Sequence, residues 1–422
     1  MDARPEPTAA GRHLPRSSRP IGLGLVLVCL TGTLILGAAS KAPCASGEWA
    51  DGRQYRLLCY SDIVPLLGTE QLAGGRMPLL DQCASSPDAN CDEYPVLTLY
   101  LMRTAGWVSD TDYPTFFGAN VALLWLCAGV TVVCLYAMVG SRALIFALSP
   151  TLLVYGFMNW DLLAVALATA AFPAFLLRRD VLAGALLGLG ASAKFYPAML
   201  VVPLILQRLQ DGEPDRAIRL GWAAAGSWLA VNIPFLIAAP NPWLTFFRYN
   251  ASRCAEFDSL WSIGWRYLDH DGAAACSKTG LINMGSSLAF AVVFIIVWAA
   301  KARRMPDFPR WTLAFPILVA FLLTSKVYSP QYGLWLLPLF ALALPSLRTF
   351  VAFSLADLAV FVTRFRWFGH LAETSGVQQW MFELAVVLRA AVLVWYLLQW
   401  IRREPEVLPS FAPDGELGMA PA

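Results

Sequence analysis

Residues 181–207 read VLAGALLGLGASAKFYPAMLVVPLILQ, and the fold turns on how this stretch is divided. It is either one apolar helix with Lys194 at its centre, or two short helices that turn back at Lys194. The flanking charges decide. If it crosses a bilayer once, the loops bearing Lys301, Arg303, Arg304 and Arg310, and later Arg402 and Arg403, fall outside. If it is a hairpin, those residues fall inside with Arg142, Arg178, Arg179, Arg208, Arg216, Arg219 and Arg348. Cytoplasmic loops carry the excess of Lys and Arg, so the hairpin is the reading. Pro197 agrees, because the residue before a proline resists helical geometry. Helices too short for a full span survive only inside protein or beside a watery cavity, so Lys194 is placed at such a cavity on the outer side.

The rest of the chain fits that frame. Of 422 residues 58% are apolar and 14% charged, against about 25% charged in soluble proteins. The mean hydropathy is +0.56. An ordinary soluble enzyme is excluded, and 31 Lys and Arg against 29 Asp and Glu give no argument for a nucleic-acid partner. Apolar segments near 21–39, 114–139, 143–158, 161–177, 181–193, 197–207, 219–238, 281–300, 311–326, 331–345, 349–363 and 380–400 predict an all-α polytopic membrane protein of about twelve transmembrane helices. The first ends in Ala38-Ala39-Ser40, which could be a signal-peptide cleavage site. It is longer than the roughly 7–15 residues of a signal core, so an uncleaved helix is expected.

The expected organisation is a disordered tail over 1–20, one membrane domain over 21–400, and a second tail over 401–422. Both termini are then cytoplasmic in the cell membrane. Two large loops face outward, about 41–113 and 239–280. Six of the nine cysteines lie in these loops: Cys44, Cys59, Cys83, Cys91, Cys254 and Cys276. An even number on the oxidising side points to disulfides, and proximity favours Cys44–Cys59, Cys83–Cys91 and Cys254–Cys276. Without a Cys-x-x-Cys pair and with only three histidines, a metal site is not expected.

Charged groups gather on the outward side. Asp62 follows Tyr60-Ser61, Glu93 stands in Asp92-Glu93-Tyr94-Pro95, and Asp161 closes Asn159-Trp160-Asp161. Lys194-Phe195-Tyr196-Pro197 and Lys326-Val327-Tyr328-Ser329-Pro330-Gln331-Tyr332 form two turns of one kind, and Arg253, Arg266 and His270 lie in the second loop. Each has a plain alternative: Asp62 as a solvated carboxylate, Asp161 as a helix N-cap, the lysines snorkelling to headgroups. Asp357, inside an apolar segment, is an intramembrane acid with no partner evident from sequence. Acids and cations meeting on one face suit sugar transfer from a lipid phosphate. A carboxylate takes the proton of the acceptor hydroxyl, and cations stabilise the departing phosphate.

With these motifs, and with Gly188-Leu189-Gly190 leading to Lys194, the sequence resembles the family 87 glycosyltransferases, bacterial membrane enzymes of the C-type glycosyltransferase fold, particularly actinobacterial ones. The resemblance extends over roughly 21–400. It implies a polyprenyl-phosphate-sugar donor, often mannose, used on the outer face, and a lipid or polysaccharide acceptor. By that analogy Asp62 is the general base, Lys194 and Lys326 contact the carrier phosphate, and Asp161 supports acceptor or sugar. Glu93, Tyr328, Tyr332 and Arg253 complete the candidate substrate-binding set. No cofactor beyond the donor lipid is expected. A single displacement inverts the anomeric centre with one base, whereas retention asks for a second carboxylate. A transporter or flippase is the alternative, though polar groups gather at the rim rather than the midplane; a non-catalytic cell-wall assembly subunit is the third reading.

Overall fold

The computed structural model describes residues 21–84, 91–269, 274–343, 346–372 and 376–404. The tail expected over 1–20 and most of that expected over 401–422 lie outside the described residues, as does His270. Thirteen longer helices run in chain order: α1 (Leu23–Lys41), α2 (Val96–Ser109), α3 (Tyr113–Val139), α4 (Asp161–Leu176), α5 (Asp180–Ala193), α6 (Tyr196–Gln210), α7 (Pro214–Ala238), α8 (Pro240–Ser252), α9 (Thr279–Arg304), α10 (Ala314–Thr324), α11 (Gly333–Ala343), α12 (Leu347–Leu371) and α13 (Gln379–Arg402). Among the described residues there is no strand.

Among the described residues, five helical stretches are long and apolar enough to cross a membrane: Leu23–Cys44, Tyr113–Ala147, Pro214–Ala238, Thr279–Arg304 and Gln379–Arg402. The chain is a multi-pass membrane protein. The decisive stretch is a hairpin: α5 and α6 meet at Lys194, which leaves helical geometry with φ −150°. At about 1.5 Å per residue, the 14 residues of α5 fall short of a hydrocarbon core of about 30 Å.

The segment expected to cross over 143–158 is not one helix. The chain turns at Gly140, whose φ of +58° suits a residue without a Cβ. It then passes through the short helices Leu144–Ala147 and Pro150–Tyr155 and continues as turns over 156–160. Ser149-Pro150 forces the first break, since proline cannot continue the preceding turn.

Lipid tails are as apolar as leucine, so helices in a bilayer associate through close packing. At the α5–α7 crossing this needs glycine. A Cβ on Gly184 would stand 2.2 Å from the Leu220 carbonyl oxygen, and one on Gly188 2.1 Å from that of Ala224. Two polar knots also sit within the bundle. Asp357 accepts from Thr151 at 3.0 Å and pairs with Arg389 at 3.3 Å, which supplies the partner the sequence could not name. At the opposite end from Lys194, Asp180 pairs with Arg208 at 2.6 Å and with Arg216 at 2.9 Å.

All three expected disulfides form: Cys44–Cys59, Cys83–Cys91 and Cys254–Cys276, with Cα separations of 5.7, 6.1 and 4.6 Å.

Gly188→Ala is expected to destabilise the protein by about 1–3 kcal/mol through overpacking, read as a lower thermal midpoint in detergent. Gly129→Ala, with nothing within 4 Å of its added Cβ, serves as the control and should leave the midpoint in place.

Candidate active site

The break over 156–160 exposes backbone carbonyls, and the first loop satisfies them. Ser61 Oγ donates to the Phe157 carbonyl at 2.8 Å, and the Asp62 amide donates to that of Met158 at 2.8 Å. This fixes the Asp62 backbone. The carboxylate is then fixed twice over. Tyr60 OH donates to Oδ1 at 2.7 Å, and Asn159 Nδ2 donates to Oδ2 at 2.9 Å. The Asn159 amide is itself oriented, because its Oδ1 accepts from the Trp160 amide at 2.7 Å. Burial, reinforced by the Asp62 carboxylate, pushes the Tyr60 hydroxyl well above its ordinary range, so it stays a donor. Asn159 Nδ2 also reaches Tyr94 OH at 2.9 Å, which leaves the phenol's own proton for a ligand.

Asp62 opens into a cavity of about 650 Å³ that Glu93, Tyr94, Lys194, Arg253, Lys326 and Tyr332 also line. Lys194 stands 3.7 Å from Asp161, over the rings of Tyr94 at 5.1 Å and Tyr332 at 5.9 Å. Stacking fixes that floor, with Tyr332 at 3.9 Å and Tyr196 at 4.4 Å from Trp335. Trp335 in turn donates its indole N–H to Asp161 at 2.7 Å.

Lys326 donates to the carbonyls of Arg253 at 2.6 Å and Ala251 at 3.3 Å. Burial and the nearby Arg253 lower its pKa to about 8. Arg253 is held by Glu256. Burial opposes the charge on Glu256, yet Arg253 and Arg364 keep it below its usual range. The Glu256 amide also donates to the Lys326 carbonyl at 2.8 Å, tying the second loop to the Lys326 turn.

The structure therefore brings together Asp62, Glu93, Lys194, Arg253, Lys326 and Tyr332. Two candidates stand apart. Asp161 is fully buried behind Lys194, is the first residue of α4 rather than its cap, and pairs with the lysine without lining the cavity. Tyr328 is buried with the Arg389 guanidinium 3.6 Å from its ring centre and does not line the cavity. Arg266 pairs with Glu383 at 2.5 Å, also off the cavity. Sequence reasoning passed over Tyr249, Asn283 and Ser286, which line it, and Glu256. No periodicity marks Glu256; its only signal is its place two residues after Cys254. Among the described residues, no group of three or more His, Cys, Asp and Glu side chains is placed to hold a metal ion.

The model of glycosyltransferase family 87 matches residues 93–330, more than half of the chain. The chain belongs to this family. It is therefore a membrane glycosyltransferase, and the cavity is its candidate active site. None of the curated proteins matches it. Among solved structures it is similar to ArnT from Cupriavidus metallidurans bound to undecaprenyl phosphate, at 15% identity and a TM-score of 0.41, covering 91% of this chain and 78% of that one.

Lys194→Met strands Asp161 without its cation, and removing one partner of a buried pair costs about 3–5 kcal/mol. Lys194→Met with Asp161→Leu is expected to recover the thermal midpoint while sugar transfer stays lost. Recovery of transfer in the double variant would make Lys194 a structural residue only.

Proposed function

We propose that this enzyme moves a sugar, mannose by the family resemblance, from a polyprenyl-phosphate donor to an acceptor hydroxyl, with inversion. The observation that carries this reading is the Asp62 carboxylate in one cavity with Lys194, Arg253 and Lys326. Asp62 takes the proton of the acceptor hydroxyl as its oxygen attacks the anomeric carbon. The bond from that carbon to the phosphate oxygen breaks, and polyprenyl phosphate leaves with both electrons. The three cations neutralise the charge that grows on the phosphate. A phosphate ester is already a good leaving group, so the step asks for no general acid and no cofactor.

A lipid-borne donor is supported by an apolar groove of about 450 Å³ between α5, α6 and α7, lined by residues including Ala191, Phe195, Ala198, Val201, Ala224 and Leu229. Phe195 lines both this groove and the cavity, next to Lys194, so a phosphate at the lysine would put its prenyl chain there.

Two chemical signs support a reading of the side of the membrane. The three disulfides lie at the cavity end, as an oxidising compartment favours. Arg178, Arg208, Arg216, Lys301, Arg303 and Arg402 lie at the other ends of their helices, as the positive-inside bias favours for a cytoplasmic face. We therefore assign the cavity to the extracytoplasmic face, with both termini cytoplasmic.

Purified protein in nanodiscs, given radiolabelled polyprenyl-phosphate-mannose and an envelope extract, tests the reading. Asp62→Asn is expected to lower transfer by about 10²–10⁴ while the protein stays folded; equal transfer by the variant would move the base elsewhere. A second expectation concerns pH. Lys326 carries its charge below about 8 and loses it above, so the KM for the donor should rise as pH climbs through about 8. Lys326→Arg, whose guanidinium stays charged, should remove that rise.

A further inference from the structure

The cavity adjoins a second space of different chemistry. A cleft of about 520 Å³ lies between α8 and the chain around the Cys83–Cys91 disulfide, and it shares Glu93 and Tyr249 with the cavity. Its walls carry hydrogen-bonding groups: Gln82, Asn241, Thr245 and Arg248 beside the acids Asp81 and Asp92. The wall on the disulfide side is held firm, because Asp92 pairs with Arg76 at 2.7 Å and accepts from the Leu79 amide at 3.0 Å.

Helix α8 stands between this cleft and the apolar side. Asn241, Thr245, Arg248 and Tyr249 line the polar cleft. Trp243, Phe246 and Phe247 line a narrow apolar space that shares Ala191, Phe195 and Trp228 with the groove along α5 and α7. Phe246, Tyr249 and Asn250 face the cavity itself. At 3.6 residues per turn these sets fall on different faces of one helix. None of its residues is fully buried, because open space adjoins each of those faces.

We propose that the polar cleft is the acceptor subsite, and that the portion of the acceptor it takes is a neutral glycan whose reactive hydroxyl passes Glu93 and Tyr249 to reach Asp62. This rests on the reading that the donor is lipid-borne and lies on the apolar side of α8. A hydroxyl-rich chain can use every donor and acceptor in the cleft, and its size falls within the roughly 300–1,000 Å³ of small-ligand sites. Charge argues against an anionic ligand. Asp92 is neutralised by Arg76, and among the described residues of the walls Asp81 stands with the guanidinium of Arg248, which leaves no net positive charge to recruit an anion. The glycan is the shared chemistry, whether it is a free chain or the head of a glycolipid.

The experiment places tryptophan on each wall separately, as Thr245→Trp and Gln82→Trp, and measures the KM for donor and acceptor independently. The acceptors are short water-soluble oligosaccharides of mannose, glucose and arabinose, glycolipids bearing the same heads, and a simple long-chain alcohol. Both variants are expected to raise the acceptor KM about tenfold with donor KM unchanged, the mark of lost binding for one substrate. Label in the soluble oligosaccharides assigns the source to a free glycan, and label in the glycolipids alone assigns it to a lipid head. An acceptor KM unchanged in both folded variants, a parallel rise in donor KM, or transfer to the plain alcohol as efficient as to the sugars overturns the proposal. If the wild type transfers nothing from the polyprenyl-phosphate donor, the donor reading fails by itself. Saturation-transfer NMR with the oligosaccharides alone then decides the cleft. A wild-type signal lost in Thr245→Trp supports it, and no wild-type signal overturns it.

Discussion

The hydrogen bonds from Ser61 and Asp62 to the carbonyls of Phe157 and Met158 hold the site together. Away from water, a helix that stops leaves carbonyls that something else in the protein must satisfy. The segment over 156–160 stops in that way, beside α4, and the first loop supplies the donors. Because the donors are Ser61 Oγ and the Asp62 amide, satisfying the break also places the carboxylate. The Cys44–Cys59 bridge anchors the loop just before this point, and Tyr60 packs against Phe365 of α12 at 5.0 Å, so the loop is held from three directions.

The other breaks work in the same manner. Lys194 occupies the turn between α5 and α6, and Lys326 the turn after α10. Lys326 donates to the carbonyls of Ala251, in the last turn of α8, and of Arg253, just past it, which the helix itself leaves unpaired; Asn283 also donates to that of Ala251. A group that settles one orphaned backbone atom can settle a second loop at the same time. The Glu256 amide returns the favour to the Lys326 carbonyl, and its carboxylate holds Arg253. The second loop is thus locked to the turn by opposite ends of the same two residues, with the Cys254–Cys276 bridge beside them.

How much of this was legible follows from which forces write themselves into sequence. The α5–α6 hairpin was readable because insertion sorts Lys and Arg by side, and that bias is counted along the chain. The disulfides were readable because each cysteine pairs with its neighbour along the loop. The apolar composition over 143–158 is that of a span, but composition does not record that Gly140, Ser149-Pro150 and the turn at Gly156 divide it into two short helices. Asp161 looked like a cap because an acid at a helix start commonly is one; its partners Lys194 and Trp335 come from α5–α6 and α11, far along the chain. Tyr328 shares a turn with Lys326 and Tyr332, but neighbours in a turn point different ways, and its ring went to Arg389. Pairings such as Asp357 with Arg389 depend on helix rotation, which no local pattern records.

The arrangement of charges carries a last argument. A carboxylate tied directly to a guanidinium or ammonium is a weakened base, since the cation favours its charged form. A cavity that needs both a base and several cations must therefore hold them near each other without letting them pair. Here the proposed base, Asp62, is held by neutral groups, the Tyr60 hydroxyl and the Asn159 amide. The cations are held from behind: Lys194 by the buried Asp161, Arg253 by Glu256, and Lys326 by two backbone carbonyls. Each anchor spends itself on orientation and leaves the cavity-facing side of its partner open. On the proposed reading, Asp161 and Glu256, neither of which lines the cavity, serve it by orienting the cations that do.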